Sequence, residues 1–510
     1  MGMVQSLTGM QAGGADAGSR TTRTLHRQPG TATLRPSPMP VSPRYRPAPV
    51  HHSLGDAFFD AVEPARFPEH VLRYRNQRWA ERVGLDTLDA TEWEDDFARF
   101  VPLPDNLRQP LALRYHGHQF RVYNAALGDG RGFLFAQLRD ADDGRLLDLG
   151  TKGSGRTPWS RGGDGRLTLK GGVREVLATA MLEALGVPTS RSFSLFETGE
   201  ALERGDEPSP TRASVLVRLS HSHVRFGTFQ RLRYHDDVAG LRRLVERSVA
   251  HYLPEVAAGD DLPVRFLRAV AVRSARLCAA WMAAGFVHGV LNTDNMTITG
   301  ESFDYGPYRF LPAFDPDFVA AYFDAAGLYA FGRQPETVHW NLARLADALV
   351  PLAPATSLAP ALAAYAPAFE EAFHGAVLTR LGLAPVGHDE DAALVAAVVA
   401  FLDDSRMGVD RFFFDWYGGA ASAARARAAP AASAYDGPRF AAFRRRLQAY
   451  APRHPDRLAL PYWQRPAPCT LLIDDIEALW AAIAERDDWG LFAAKLDEIE
   501  ALRLAGEPLV

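Results

Sequence analysis

The chain has 510 residues, 47% apolar and 23% charged, with a formal charge of -5 and a pI near 6.3. That length and apolar share supply material for one large core or two, while the near-balanced charge argues against a dedicated binder of nucleic acid or of an anionic membrane. Its two cysteines, Cys278 and Cys469, exclude a disulfide scaffold and a cysteine-rich zinc site and suit a reducing compartment, the cytoplasm.

Residues 1–50 are rich in Pro, Arg, Ser and Thr, show no helical period and read as a disordered tail. Residues 51–110 read as a helical extension with loops. Between 111 and 230 short apolar runs alternate with Gly and Asp turns, and the runs 132–138, 146–149, 191–197 and 214–219 read as strands. One helix is expected among them over 173–185, where Val173, Leu177, Met181 and Leu185 share a face and Gly186 with Pro188 ends the pattern. From 231 to 510 the periodicity is helical. A long helix is expected over 262–284, closed by Gly285, then a compact polar stretch over 288–315, then helices broken by proline- and alanine-rich loops near 351–368 and 417–436. No apolar run approaches the roughly 20 residues needed to cross a bilayer. The expected architecture is α+β and bilobal, a small strand-rich lobe followed by a large helical one, with a ligand cleft between them.

Chemistry concentrates in five stretches. Only Lys152, Lys170 and Lys495 are lysine in an otherwise arginine-based cation set, so a retained lysine marks a place where a compact ammonium serves and a planar fork does not. Leu127-Gly-Asp-Gly-Arg-Gly132 precedes a strand; Gly128 and Gly130 permit positive φ and close backbone approach to a phosphate, and Arg131 adds a bidentate donor, although a plain hairpin turn fits equally. Lys152 follows a strand inside Asp148-Leu-Gly-Thr-Lys-Gly-Ser-Gly-Arg156, and Glu175 in the first turn of the expected helix is its candidate partner, unless it serves the helix dipole alone. Arg161-Gly-Gly-Asp-Gly-Arg166 is a second glycine-rich turn. Arg218 and Arg225, in and just beyond a strand, could clamp a polyphosphate or lie exposed. The most specific stretch is His288-Gly-Val-Leu-Asn-Thr-Asp-Asn295 with Phe303-Asp-Tyr-Gly-Pro307. There Asn295 and Asp304 are oxygen ligands suited to magnesium, Asp294 is the candidate base for an incoming hydroxyl, and a strand is expected over 296–299. His116 and His118 have H-x-H spacing without further ligands and read as core or loop histidines.

These stretches, together with Gly117-His-Gln-Phe120 and Ser220-His-Ser-His-Val-Arg-Phe-Gly227, resemble the selenoprotein O family of protein adenylyltransferases over roughly residues 100–315. The resemblance implies a protein-kinase-like fold and transfer of AMP from ATP to Ser, Thr or Tyr hydroxyls of protein substrates, with ATP bound in a flipped orientation that sets the α-phosphorus beside the acceptor. It implies ATP contacts at Gly128, Gly130, Arg131, Lys152, Asp164, Gly165, Arg218, Arg225 and Asp304. Glu175 becomes the partner of the lysine, Asp294 the proton acceptor, and Asn295 with Asp304 the magnesium ligands. UMP transfer with manganese, a γ-phosphoryl kinase and a silent pseudokinase stay open as alternatives; adjacent Asp294 and Asn295 depart from the kinase spacing, and the full polar set speaks against silence. Two departures from the family stand out. Arg121 occupies a place where glycine commonly follows, and residues 501–510 carry no terminal cysteine motif, which removes the expectation of a redox-active thiol pair there.

Overall fold

In a computed structural model the described residues are 42–205, 207–256 and 259–506. The first 41 residues, most of the expected tail, lie outside them. Residues 42–50 do not behave as a tail: Ala48 donates to the carbonyl of Gln137 at 3.0 Å, Arg139 donates to that of Arg46 at 2.9 Å, and Pro47 bridges Leu138. A proline-bearing segment can serve there because a sheet edge does not need every N–H.

The strand-rich region begins earlier than the sequence suggests. Two short strands, β1 (Phe59–Ala61) and β2 (Val71–Arg75), precede the helices α1 (Gln77–Val83) and α2 (Ala90–Phe97). Then come β3 (Leu111–Leu113), the small hairpin β4 (Gly117–Gln119) and β5 (Val122–Asn124), β6 (Leu134–Arg139), β7 (Leu146–Lys152), β8 (Leu167–Thr168), the helix α3 (Leu169–Ala184), β9 (Arg191–Leu202) and β10 (Thr211–Ser220). The main sheet is antiparallel in the order β1-β3-β6-β7-β10-β9-β2, with β8 on β10. The expected helical extension therefore supplies both ends of the sheet, because strands of three and five residues are too short to display a period-two pattern.

Both faces of the sheet are covered, which is why its central strands read as near-continuous apolar runs. Leu147, Leu149, Phe193, Val215 and Val217 pack with Trp79, Trp93 and Phe97 under α1 and α2. Leu146, Leu195 and Leu216 face the other way, onto Val173, Leu177 and Met181 of α3 and into the core of the helical region. Each of those three α3 side chains is fully buried, contributing roughly 1.5–3 kcal/mol. The helix α3 starts four residues before its expected beginning, with the Thr168 hydroxyl accepting from Gly171 N. Gly171 and Gly172 look like loop residues in the sequence, yet a Cβ on Gly172 would stand 2.6 Å from Leu195, so glycine is what lets α3 approach the sheet.

The helical region follows: α4 (Phe226–Tyr234), α5 (Val238–Tyr252), α6 (Leu262–Ala284), α7 (Gln334–Leu349), α8 (Ala355–Ala363) and α9 (Tyr365–Arg380), with further helices to Ala505. Helix α6 has the bounds its periodicity predicts and ends on Gly285 at φ +64°. The loop expected near 351–368 is instead α8 and the start of α9, since alanine's high helix propensity outweighs the prolines. Short helical turns also fill 419–428 and 432–436. Cys278 and Cys469 are both free and buried, and burial pushes the Cys278 thiol up to about 12. Among the described residues no helix is long and apolar enough to cross a membrane.

Candidate active site

Strand parity places the first two site residues. On β7 the side chains of Leu146, Asp148 and Lys152 share the face that looks onto α3, and on β10 Leu216 and Arg218 do the same. Register sets Lys152 opposite Leu216 and Arg218 opposite Gly150, where a Cβ would stand 2.3 Å from the His223 ring. Glu175 rises from α3 between them. Lys152 Nζ donates to Glu175 Oε2 at 2.6 Å, and Arg218 Nη1 reaches Glu175 Oε1 at 3.2 Å. Because α3 starts at Leu169, Glu175 lies beyond the first turn; its role is the ion pair, and the dipole reading is set aside.

The loops of the helical region bring the opposing charge. Lys152 Nζ stands 2.7 Å from Asp304 Oδ1, Arg218 Nη1 3.3 Å from the same oxygen, and Arg225 Nη1 4.0 Å from Asp304 Oδ2. Burial pushes the Asp304 carboxyl upward, but Lys152, Arg218, Arg225 and Arg131 outweigh it and hold the group well below the carboxylate range. Asp304 has φ +64°, a left-handed backbone that costs a non-glycine residue energy and that structures retain where geometry matters.

Asp294 is different. Its Oδ1 is buried with no hydrogen-bond partner among the described residues, and burial raises its carboxyl to about 6 despite the nearby Arg225. Its carbonyl accepts from Arg225 Nη1 at 2.9 Å. The residue sits in a single helical turn, Thr293–Asn295. No strand follows at 296–299; only Thr297 bridges Arg225, while Phe226 N donates to the carbonyl of Met296 and Ile298 N to that of Val224. The stretch is too short and too interrupted for a ladder, and those bonds fasten the Arg225 segment to the Asp294 loop. The neighbouring Asn295 donates its Nδ2 to the carbonyl of Val290 at 2.9 Å, leaving Oδ1 as its acceptor.

The glycine-rich turns close the third side. Neither Gly128 nor Gly130 has positive φ. They are needed for room: a Cβ on Gly128 would stand 2.4 Å from the Trp159 ring, and one on Gly130 2.8 Å from the Trp159 carbonyl. Gly165 does have φ +70°, and a Cβ there would meet the backbone of Gly155 at 2.2 Å. Asp164 accepts from Arg204 Nη1 at 2.8 Å, so its carboxylate is engaged by an arginine. Gly128, Gly130, Arg131, Lys152, Asp164, Gly165, Arg218, Arg225, Asp294, Asn295 and Asp304 all line one cavity of about 650 Å³, and Glu175 stands behind Lys152.

The family model described as "Protein adenylyltransferase SelO" matches residues 43–500. The chain belongs to the SelO family. Among its relatives, a protein of Synechocystis sp. is 53% identical over 338 residues, 66% of this chain and 70% of the relative. One of Gloeobacter violaceus is 46% identical over 87% of this chain and 92% of the relative, and one of Trichodesmium erythraeum 40% identical over 90% and 98%. All three carry the name "Protein nucleotidyltransferase YdiU".

In this SelO-family chain the structure adds site residues that the sequence alone does not single out. Asp129 accepts from Arg225 Nη2 at 3.1 Å and from Leu113 N at 3.1 Å, tying Arg225 to the sheet. Inside a Gly-Asp-Gly turn it looks like a turn former, and only the partner distinguishes it. The ring of Tyr115 packs 4.3 Å from the Arg225 guanidinium carbon. The two hairpin histidines have structural roles, as expected: His116 Nδ1 pairs with the Tyr123 hydroxyl at 2.8 Å, and Gln230 Nε2 meets His118 Nδ1 at 3.1 Å. The His118 amide donates to Thr293 Oγ1 at 2.7 Å, so the β4–β5 hairpin braces the Asp294 loop.

Proposed function

We propose that this chain is a protein adenylyltransferase that moves AMP from ATP to a Ser, Thr or Tyr hydroxyl of a protein and releases pyrophosphate, on a bilobal scaffold of the protein-kinase type. The observation that carries the reading is convergence on one cavity: Lys152 from the sheet, and Asp294, Asn295 and Asp304 from loops of the helical region, with Lys152 Nζ 2.7 Å from Asp304. The family description and the names of the relatives support the same class of reaction.

In this reading the acceptor oxygen attacks the α-phosphorus, the bond from that phosphorus to the α,β-bridging oxygen breaks, and pyrophosphate leaves. The hydroxyl proton passes to Asp294, whose buried Oδ1 is free to take it. Lys152, Arg131, Arg218 and Arg225 hold the phosphate chain and balance the charge of the departing group. Asp304, kept ionised by those cations, and the Asn295 carbonyl oxygen are the residues that would hold magnesium, with manganese as the alternative. Among the described residues no three His, Cys, Asp or Glu side chains gather as a metal site, and one carboxylate with one amide suits a cation that completes its shell with water and phosphate oxygens. Such a cation, when bound, supplies positive charge at the reacting phosphoryl group.

The test is incubation with an acceptor protein and ATP labelled at the α or the γ phosphate. Protein-bound label from the α position alone is expected. Label retained only from the γ position would make the chain a kinase, and UTP with manganese in a parallel arm reads the choice of base.

A further inference from the structure

The acceptor hydroxyl has to reach Asp294 from outside, and an aromatic ledge lies beside the cavity-lining Gln119 and Asn292. The β4–β5 hairpin connects the two: a Cβ on Gly117 would stand 3.0 Å from Asp294 Oδ1, and the next residues, Gln119 and Phe120, lead outward. Asn292, which lines the cavity, accepts from Phe120 N at 3.1 Å and from the Tyr329 hydroxyl at 2.6 Å. The Phe120 ring lies 5.0 Å from Tyr329 and 6.0 Å from Phe323, and Phe323 lies 5.1 Å from Tyr322. Exposure increases outward along this ledge, from 37% at Phe120 through 48% at Phe323 to 84% at Tyr322. Surface aromatics scattered singly need no explanation, but a contiguous row beginning at a cavity wall does.

Two observations show that the ledge is built and held. The hairpin tip places Phe120 and Arg121 at φ +50° and +64°, a turn geometry that glycine or asparagine adopts at far lower cost. Arg121 keeps it by pairing with Glu336 at 3.1 Å and lying 5.5 Å over the Trp340 ring. On the other side Asp324 caps the loop, accepting from Leu328 N at 2.9 Å and Tyr329 N at 2.8 Å. The result is an aromatic strip braced at the Phe120–Arg121 tip and at Asp324, with a charged rim, the layout of a protein-recognition patch.

We infer that this ledge docks the acceptor segment of the protein substrate, an extended stretch carrying an aromatic or large aliphatic side chain a few residues from the modified hydroxyl. The ledge is continuous with the acceptor side of the cavity. From Tyr329, whose hydroxyl binds the cavity-lining Asn292, through Phe120 to Phe323 the two ring steps are 5.0 and 6.0 Å, together at most about 11 Å, a span that an extended chain advancing about 3.3 Å per residue covers in roughly three residues. The inference rests on the adenylyl-transfer reading and narrows its substrate class.

The experiment uses the full chain, ATP and two series of synthetic Ser/Tyr acceptor peptides, one with Phe three residues before the hydroxyl and one with Phe three residues after, each paired with a Phe→Ala counterpart. In one series the Phe peptide is expected to be modified with kcat/KM about tenfold above its counterpart. The Tyr322→Ser/Phe323→Ser double variant is expected to erase that preference while keeping the rate on the Ala counterpart and the melting temperature. Tyr322→Ser alone, at a side chain largely in solvent, reads the same preference should the double variant be unstable. No preference in either series, or a preference the variants leave untouched, overturns the docking claim. Transfer to whole proteins but to neither peptide series overturns it as well, because the ledge then reads no linear segment. Absence of AMP transfer to any acceptor instead overturns the functional reading itself, and this inference with it.

Discussion

The two walls of the cavity differ in how their polar groups are satisfied. On the sheet wall Lys152, Glu175 and Arg218 are buried and mutually paired, and Asp304 is drawn into the same network at 2.7 Å and 3.3 Å. On the loop wall Asp294 Oδ1 is equally buried but unpaired among the described residues, and its carboxyl is raised rather than lowered. A buried polar group without a partner costs about 1–3 kcal/mol, so a fold retains one where a ligand supplies the partner. In the adenylyl-transfer reading one wall holds charge and the other receives the proton.

Breaking the charge wall at its junction with the loops has the largest expected effect. Asp304→Ala should lower AMP transfer by about a thousandfold or more, read as α-label on an acceptor protein, with the fold retained by circular dichroism. Full activity in that variant would remove Asp304 from the metal set. Lys152→Met comes next, at about a hundredfold, and Lys152→Arg should not restore the rate, because a planar fork cannot satisfy Glu175 and Asp304 as the compact ammonium does. Recovery with arginine would make the wall a generic cation. Urea titration should also show Lys152→Met destabilised by about 1–3 kcal/mol, since the buried Glu175 Oε2 loses its donor while Arg218 still pairs with Oε1.

A smaller change sharpens the comparison where the walls meet. Asp129→Asn weakens the anchor of Arg225, whose other end binds the Asp294 carbonyl. The expected loss is about tenfold in kcat with KM for ATP little changed, and Asp129→Glu should recover part of it; equal loss in kcat and KM would make Asp129 a nucleotide-binding group instead.

Much of this was legible in the sequence, for reasons that differ by residue. Helix α6 and its Gly285 stop carry a long period and an unambiguous cap, so both ends could be read. Lys152 stands out in a chain that uses arginine for nearly every cation and Asn295 in one where asparagine is scarce, while Asp294 and Asp304 are legible from the motifs around them. Glu175 could be named as the candidate partner of Lys152, but the helix-dipole alternative falls only with the true start of α3, which depends on Gly172 packing against Leu195, a contact far away in sequence. The edge strands β1 and β2 are defined by their partners rather than by their own patterns. Asp129 and Asn292 resemble ordinary turn residues until the groups they bind are known.

The weakest expected effect lies away from both walls. Burial holds His51 and His221 down at about 4, with Asp148 and Glu301 respectively opposing it. Unfolding returns these imidazoles to the ordinary value near 6.5, so between pH 6.5 and 4 the unfolded chain binds more protons than the folded one. Stability should therefore fall as pH drops through that window, by up to roughly 1.4 kcal/mol per pH unit for each histidine. His51→Gln should flatten the slope of melting temperature against pH; parallel profiles would show that His51 titrates alike in both states.

The two-wall account is tested most directly by a crystal structure of the chain with magnesium and an ATP analogue that resists cleavage between the α- and β-phosphates. The account predicts the phosphate chain against Lys152, Arg218 and Arg225, with the α-phosphorus the phosphorus nearest to Asp294. A γ-phosphorus in that place, or a nucleotide bound outside the cavity, would contradict it.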